Sequence, residues 1–227
     1  MGRTLSRLFR GMWYFPKTAY INFRTLPFGK AVKFPFVVMG KCSFKGLNKK
    51  TVRIDAPVKT GMIKIGAQKT SKRGIPINRQ ALMAVENGIL VFQGSASIGA
   101  GTSICASGGT ITLGDEFSCN VNCFIYSQKG IMFGKDVLLG WNVNIRDNDG
   151  HPLYDRDGNV INPNREVLIG DHVWIASYVD VLKGANLAEG VIVGTRSLVT
   201  KAFEEKNQVI AGIPAKTVKR DVYWKHR

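Results

Sequence analysis

Acidic residues are almost missing from the first third of this 227-residue chain. Residues 1–80 hold a single one, Asp55, against 18 Lys and Arg, for a net charge of +17. The remainder holds 14 Lys and Arg against 15 acidic residues, so the chain's whole excess of +16 belongs to its N-terminal third. Long apolar runs are lacking too. The longest uncharged stretch, Asn87 to Gly114, is broken by Gly94, Gly99, Gly101, Gly108 and Gly109 and by many Ser and Thr, so nothing reads as a transmembrane helix or secretory signal. The four cysteines lack metal-site spacing, and Cys119 with Cys123 forms only an unspecific CxxxC; they read as reduced, mostly buried thiols of a cytosolic protein. Histidine is scarce. His151, His172 and His226 have neither the spacing nor the context of a zinc site, so no metal is expected.

What the N-terminal third does hold is aromatic side chains. Phe9, Trp13, Tyr14, Phe15, Tyr20, Phe23, Phe28, Phe34, Phe36 and Phe44 interleave with Arg7, Arg10, Lys17, Arg24, Lys30 and Lys33. Cations attract anionic headgroups and aromatic rings suit a membrane–water boundary, so one reading is a peripheral contact with the inner face of the plasma membrane. The other is that the aromatics pack against the end of the main domain. No nucleic-acid motif accompanies the charge, and no nucleic-acid partner is expected. Residues 1–45 read as a partly helical basic extension in which Pro16, Pro27 and Pro35 limit helix to short pieces. From about Thr51 short alternating runs, VRIDAPV and GMIKIGA, read as strands, and SKRGIPINRQ as a projecting charged loop.

Beyond residue 97 a repeat becomes explicit. Apolar residues occupy positions 98 and 104, then 113, 119 and 125, then 133, 139 and 145, and finally 169, 175, 181, 187, 193 and 199, six apart within each run. A second apolar residue stands two positions earlier in many of these units, as at Ile111, Phe117, Val137, Val173 and Val191. Six residues make one short strand and one turn, and three such units close a triangular coil with the periodic aliphatics inside. Glycine often follows the inward residue, as in Ile98-Gly99 and Leu139-Gly140, and is read as supplying a backbone conformation open to few other residues at the corner. The eight-residue step from Ile125 to Phe133 reads as a corner insertion. Between Ile145 and Ile169 the rhythm breaks for a polar, turn-rich segment that carries Asp147, Asp149 and His151.

The six-residue repeat resembles the left-handed parallel β-helix of the hexapeptide-repeat acyltransferases. DNDGHPLYD, followed by IGDHVWIASYVDVLKGANLAEGVIVGTRSLVTKAF and IAGIPAK, resembles the sugar O-acetyltransferases within that superfamily, over about residues 95–220. The resemblance implies an all-β fold with an acyltransferase domain at 46–220, a loop insertion at 152–166 and a C-terminal tail at 221–227. It implies an acetyl-CoA-dependent O-acetyltransferase of a capsule, lipopolysaccharide or other cell-surface saccharide, assembled as a homotrimer.

The resemblance places the general base on His151, whose near-neutral pKa suits removal of a hydroxyl proton. Its second ring nitrogen needs an acceptor; Asp149 is slightly favoured over Asp147 for that, and either carboxylate could instead bind a sugar hydroxyl or simply form a turn. Trp174 matches the family's tryptophan beside the transferred acetyl group. Ser177 and Thr195 fall at the pantetheine, Thr200 and Lys201 toward the nucleotide end, and Lys216 and Lys219 toward the phosphates of coenzyme A. Asn120 and Asn122 stand as acceptor contacts or as corner residues, and His172 as a coil cap. Two departures are visible: IAS replaces the commoner Ile-Gly-Ser, and GTRS puts Arg196 near the groove. Two other readings remain open, the same chemistry on an amino sugar, serine or antibiotic, and a non-catalytic scaffold in glycan assembly.

Overall fold

The computed structural model describes residues 2–67 and 79–226, and most of the 71–80 loop therefore lies outside the described residues. Three parallel sheets run the length of the molecule as the faces of one left-handed coil. The first face contains Phe36–Val38, Ile63–Ala67, Ala96–Gly99, Phe117–Cys119, Leu138–Leu139, Trp174–Ile175, Ile192–Val193 and Val209–Gly212. The second runs from Cys42–Lys45 to Leu198–Val199 and the third from Val52–Ile54 to Ala202–Phe203. The strand register stacks like on like. Ile98, Cys119, Leu139, Ile175 and Val193 form one inward column. Ile104, Ile125, Ile145, Val181 and Val199 form the second, and Leu113, Phe133, Ile169, Leu187 and Phe203 the third. All of these residues are buried. All but Phe203 are the six-spaced positions of the sequence.

The glycines after these residues have a different job from the one expected. Their φ angles are not positive; what excludes a side chain is the next coil. A Cβ on Gly99 would lie 2.2 Å from the Asn120 carbonyl oxygen, and one on Gly114 2.1 Å from that of Gly134. The left-handed corners fall two residues later, at Gly101, Glu116, Asn122, Asp136, Asn142, His172, Tyr178 and Arg196, with φ between 53° and 73°. Most of these corners carry side chains, but Gly101 does not have room for one: a Cβ there would lie 2.2 Å from Asn122 Oδ1 of the next coil.

The N-terminal extension also departs from expectation. A single helix spans Gly2–Thr25 with Pro16 inside it, rather than short pieces. The coil's first strands, Phe36–Val38 and Cys42–Lys45, lie within residues 1–45, so the coil begins before the expected boundary. At the far end the parallel wall is closed by an antiparallel strand, Ala215–Lys219. The helix solves a problem that any parallel coil creates, since its first strand presents N–H and C=O groups with no neighbour. Asn22, fully buried, takes the neighbour's place. Its Nδ2 donates to the Phe36 carbonyl (2.8 Å) and its Oδ1 accepts from the Phe36 N–H (3.1 Å), while Thr18 Oγ1 accepts from the Val38 N–H (3.0 Å). Ile21, Leu26 and Ala31 close the core above them.

Replacing Asn22 with Leu keeps the volume and strands both Phe36 groups in an apolar setting. A loss of about 2–5 kcal/mol is expected, because each buried unpaired group costs about 1–3 kcal/mol. Urea unfolding of the purified variant measures it.

Candidate functional site

The loop that interrupts the repeat leaves the wall after Asn144–Arg146 and returns at Val167–Ile169. At its root Asp147 is fully buried and collects five donors: Ser127 Oγ (2.7 Å), the backbone N–H groups of Gln128 (2.8 Å), Lys129 (2.8 Å) and Gly130 (2.7 Å), and Asn148 Nδ2 (2.9 Å). The first four of these donors are the corner between Ile125 and Phe133 where the repeat gains two residues. Asp147 therefore anchors an enlarged corner and presents no free oxygen to an acceptor, contrary to the substrate-binding expectation. Burial alone would raise its pKa. Hydrogen bonds from Asn148, Gln128, Ser127 and Lys129 outweigh that and hold it below the usual carboxylate range.

Asp149 is likewise not an orienter of the His151 ring in this structure. Its Oδ2 accepts from Lys183 Nζ and from Asn162 Nδ2 (2.8 Å), chiefly the Lys183 contact lowering its pKa. Asn162 is the hub of the loop: the same amide nitrogen donates to the His151 carbonyl (3.0 Å), its Oδ1 accepts from the Leu153 N–H (2.6 Å), and its carbonyl accepts from Lys183 (2.8 Å). Asp149, Asn162 and Lys183 thus hold the backbone of the His151 turn rather than its imidazole. Among the described residues that exposed ring has no hydrogen-bond partner, and it faces a cavity of about 230 Å³ lined by Gln128, Gly150, Pro152, Val160, Asn162 and Asn164. Apart from His151 itself, no titratable side chain among the described residues lines this cavity.

A second, larger cavity of about 610 Å³ runs along the first face. It gathers Trp174, Ser177, Thr195 and Asn120 from the expected set, and adds Trp141, Trp224, Lys225 and His226. Ser177 Oγ accepts from the Trp141 N–H (3.0 Å), and its carbonyl accepts from Thr195 Oγ1 (2.7 Å). Apolar indoles beside amide and hydroxyl groups suit an extended ligand with alternating methylenes and amides. Further along the same face, Lys216 and Lys219 are exposed on the terminal strand. Thr200 is exposed at a corner, Lys201 rests over the Phe203 ring at 5.5 Å, and Arg196 folds over Tyr178 at 5.0 Å. Asn122 lies outside both cavities as a left-handed corner residue. Among the described residues none lines both of these cavities: His151 is at one and Trp174 at the other.

Two of the three histidines do meet. His172 Nδ1 lies 2.7 Å from Asp136 Oδ2 and His226 Nε2 lies 2.7 Å from Asp136 Oδ1. The remaining nitrogen of His172 is taken by the Trp224 carbonyl at 3.0 Å. Among the described residues no group of three or more His, Cys, Asp or Glu is placed to hold a metal ion.

A parallel β-helix is thus broken once by a histidine-bearing loop and carries an indole-lined groove on one face. Comparison with known proteins carries this further. The chain is 32% identical over 145 residues to the Escherichia coli K12 protein named "Putative lipopolysaccharide biosynthesis O-acetyl transferase WbbJ", covering 59% of this chain and 73% of that one. It is 43% identical over 100 residues to the polysialic acid O-acetyltransferase of Neisseria meningitidis, covering 43% and 46%. No family model matches. Among solved structures, the polysialic-acid-specific acetyltransferase NeuO aligns with a TM-score of 0.55 at 21% identity over 85% of this chain and 90% of that one, a likeness of fold. The chain belongs to the hexapeptide-repeat sugar O-acetyltransferases.

Asp147→Ala is expected to lower stability by about 2–4 kcal/mol, since several buried donors lose one acceptor. The carboxylate's folded pKa is depressed, so its contribution is present above the unfolded value and lost as pH falls through the folded one. Thermal melts of wild type and variant should therefore converge as the solution is acidified.

Proposed function

We propose that His151 is the general base of an acetyl-CoA-dependent transfer to a hydroxyl of a cell-surface saccharide. The observation that carries this reading is an imidazole held out by an anchored turn, free of intramolecular hydrogen bonds among the described residues, over a cavity lined by amides. Gln128, Asn162 and Asn164 offer both donors and acceptors, which is what sugar hydroxyls require. His151 takes the hydroxyl proton as the oxygen attacks the thioester carbonyl, and returns it to the departing thiol. Trp174 shields the reacting carbonyl from water in the groove, where Ser177 and Thr195 meet the donor's amides and Lys216 and Lys219 its phosphates. Asn120 lines that groove, so it belongs with the donor rather than the acceptor.

Because base and groove occupy separate cavities, the complete centre forms between chains, in keeping with a homotrimer. His151→Ala is expected to lower turnover about 10²–10⁴-fold, the usual worth of a positioned base, while coenzyme A still binds. Trp174→Ala should also be impaired. When the two variants are coexpressed, mixed trimers pair an intact His151 with an intact groove, and part of the activity returns. Equal acetylation by wild type and His151→Ala would remove the base from His151; no coenzyme A binding by calorimetry would favour the scaffold reading.

The same reading places the enzyme at a membrane surface. The helix buries Thr18, Ile21, Asn22 and Thr25, yet Trp13 (81% exposed), Phe15, Tyr20, Phe23 and Phe28 (73%) remain outside, interleaved with Lys17, Arg24, Lys30 and Lys33. Phe15 and Phe23 flank Phe34 at 5.8 and 5.9 Å, a contiguous aromatic surface. Among the described residues no helix is long and apolar enough to cross a membrane. Deleting residues 1–45 would remove the Asn22 cap and two strands, so point changes are the better test. Trp13→Ser with Phe28→Ser is expected to reduce co-sedimentation with phosphatidylserine vesicles several-fold. Unchanged binding would assign the aromatic surface to another role.

A further inference from the structure

We propose that residues 222–226 form a clasp over the indole-lined groove, with Trp224 as its outer wall and His172 as the positioning residue that fastens it, so that the clasp sets affinity for the acetyl donor. The proposal rests on the donor reading of that groove. Trp224 is 8% exposed although Tyr223, Lys225 and His226 on either side are open to solvent. Four contacts draw it in. Its indole N–H donates to the His172 carbonyl (2.9 Å), its own carbonyl lies 3.0 Å from His172 Nε2, its ring lies 4.4 Å from and nearly parallel to the imidazole, and His226 meets it edge-on at 4.7 Å. The other face of the arrangement looks into the groove, where Trp224 stands 6.1 Å from Trp174. Upstream, the Val222 N–H donates to the Asn207 carbonyl (2.9 Å), so the segment is tied to the coil at both ends.

The two atoms facing the His172 nitrogens, a carboxylate oxygen and a carbonyl oxygen, are both acceptors with no proton to give. Only the doubly protonated ring can donate to both, and an imidazolium against an indole adds a cation–π attraction. Burial pulls the His172 pKa down, but the hydrogen bonds to Asp136 and to the Trp224 carbonyl, with the charges of Asp136 and Glu189, raise it above its ordinary value. The charged or titratable groups around it are Asp136, on a preceding corner; Glu189, paired with Lys206; and His226 and Lys225 on the clasp itself. Asp136 is opposed by burial, yet the bonds from His226 and His172 keep its pKa low, so it stays ionised while His172 titrates. The clasp is therefore fastened below the unfolded pKa of histidine. It loosens as pH rises through the raised folded value, when one nitrogen loses its proton.

Calorimetry with coenzyme A, and steady-state kinetics with acetyl-CoA on the full chain from pH 6 to 9, test this. Trp224→Ala is expected to raise the KM for acetyl-CoA about tenfold, equivalent to about 1.4 kcal/mol of binding, with kcat little changed. Trp224→Phe keeps an aromatic wall and should recover most of the affinity. In the wild type the dissociation constant should rise with pH, and His172→Gln should be weak and flat across the same range. Wild-type affinity in Trp224→Ala, or the same pH profile in His172→Gln as in wild type, would overturn the clasp and leave the donor reading intact. No coenzyme A binding by the wild type would overturn the donor reading and the clasp with it.

Discussion

Everything in this molecule hangs on one requirement, that each coil present to the next an apolar inward residue in register and an unobstructed backbone. The three aliphatic columns meet the first half of it. They remove apolar surface from water at every step, and because Ile lies on Ile and Leu on Phe in register, no coil has to adjust to its neighbour. The glycines beside them meet the second half, since a Cβ at Gly99 or Gly114 would meet the carbonyl of the coil above at barely more than 2 Å. The corners are freer. Asn, Asp, His, Tyr and Arg all occupy left-handed positions there, and that freedom lets a corner residue such as His172 or Asp136 acquire a second use.

A stack of identical coils has two weaknesses, its ends and the absence of any place for chemistry. The ends are met by polar substitution of a strand, with Asn22 and Thr18 imitating the missing coil at one edge, and by the antiparallel return of Ala215–Lys219 at the other. Chemistry comes from breaking the repeat once. The break is expensive unless its root is rigid, and the buried Asp147 provides that by holding an enlarged corner with five hydrogen bonds. Beyond that anchor Asp149, Asn162 and Lys183 tie down the backbone of the His151 turn and leave the imidazole exposed and, among the described residues, without a hydrogen bond. The rigidity is in the support, and the proposed reactivity is in the side chain it carries.

Much of this was legible from residues alone. The six-residue rhythm specified the inward columns, because a period of six with three faces has one geometric solution, and the interruption at Ile145–Ile169 marked the loop. His151 stood out because it was a histidine where the rhythm failed. Trp174, Ser177 and Thr195 were singled out by resemblance and do come together in one groove, where they are joined by Asn120, which reads from the sequence as an acceptor contact or a corner residue. The two carboxylates near His151 were harder, since adjacency in sequence says nothing of direction: Asp147 turned inward to backbone donors and Asp149 outward to Lys183, a partner 34 residues away. Trp224 carried no local signal, as nothing in a short C-terminal segment announces that it will fold back on a corner histidine 52 residues earlier.

The repeat, the basic N-terminal third and the residue types of the centre were therefore determined by the sequence, because periodicity and charge are properties of order along the chain. Tertiary structure decided the partners. It chose which side of the helix is buried and which aromatic side chains stay outside, and it set the glycines against the next coil rather than at the turns. It put His151 and the indole-lined groove at two cavities and brought His172, Asp136, Trp224 and His226 into one cluster. Each of those outcomes depends on which coil lies above which, a relation between residues tens of positions apart that only the closed stack creates.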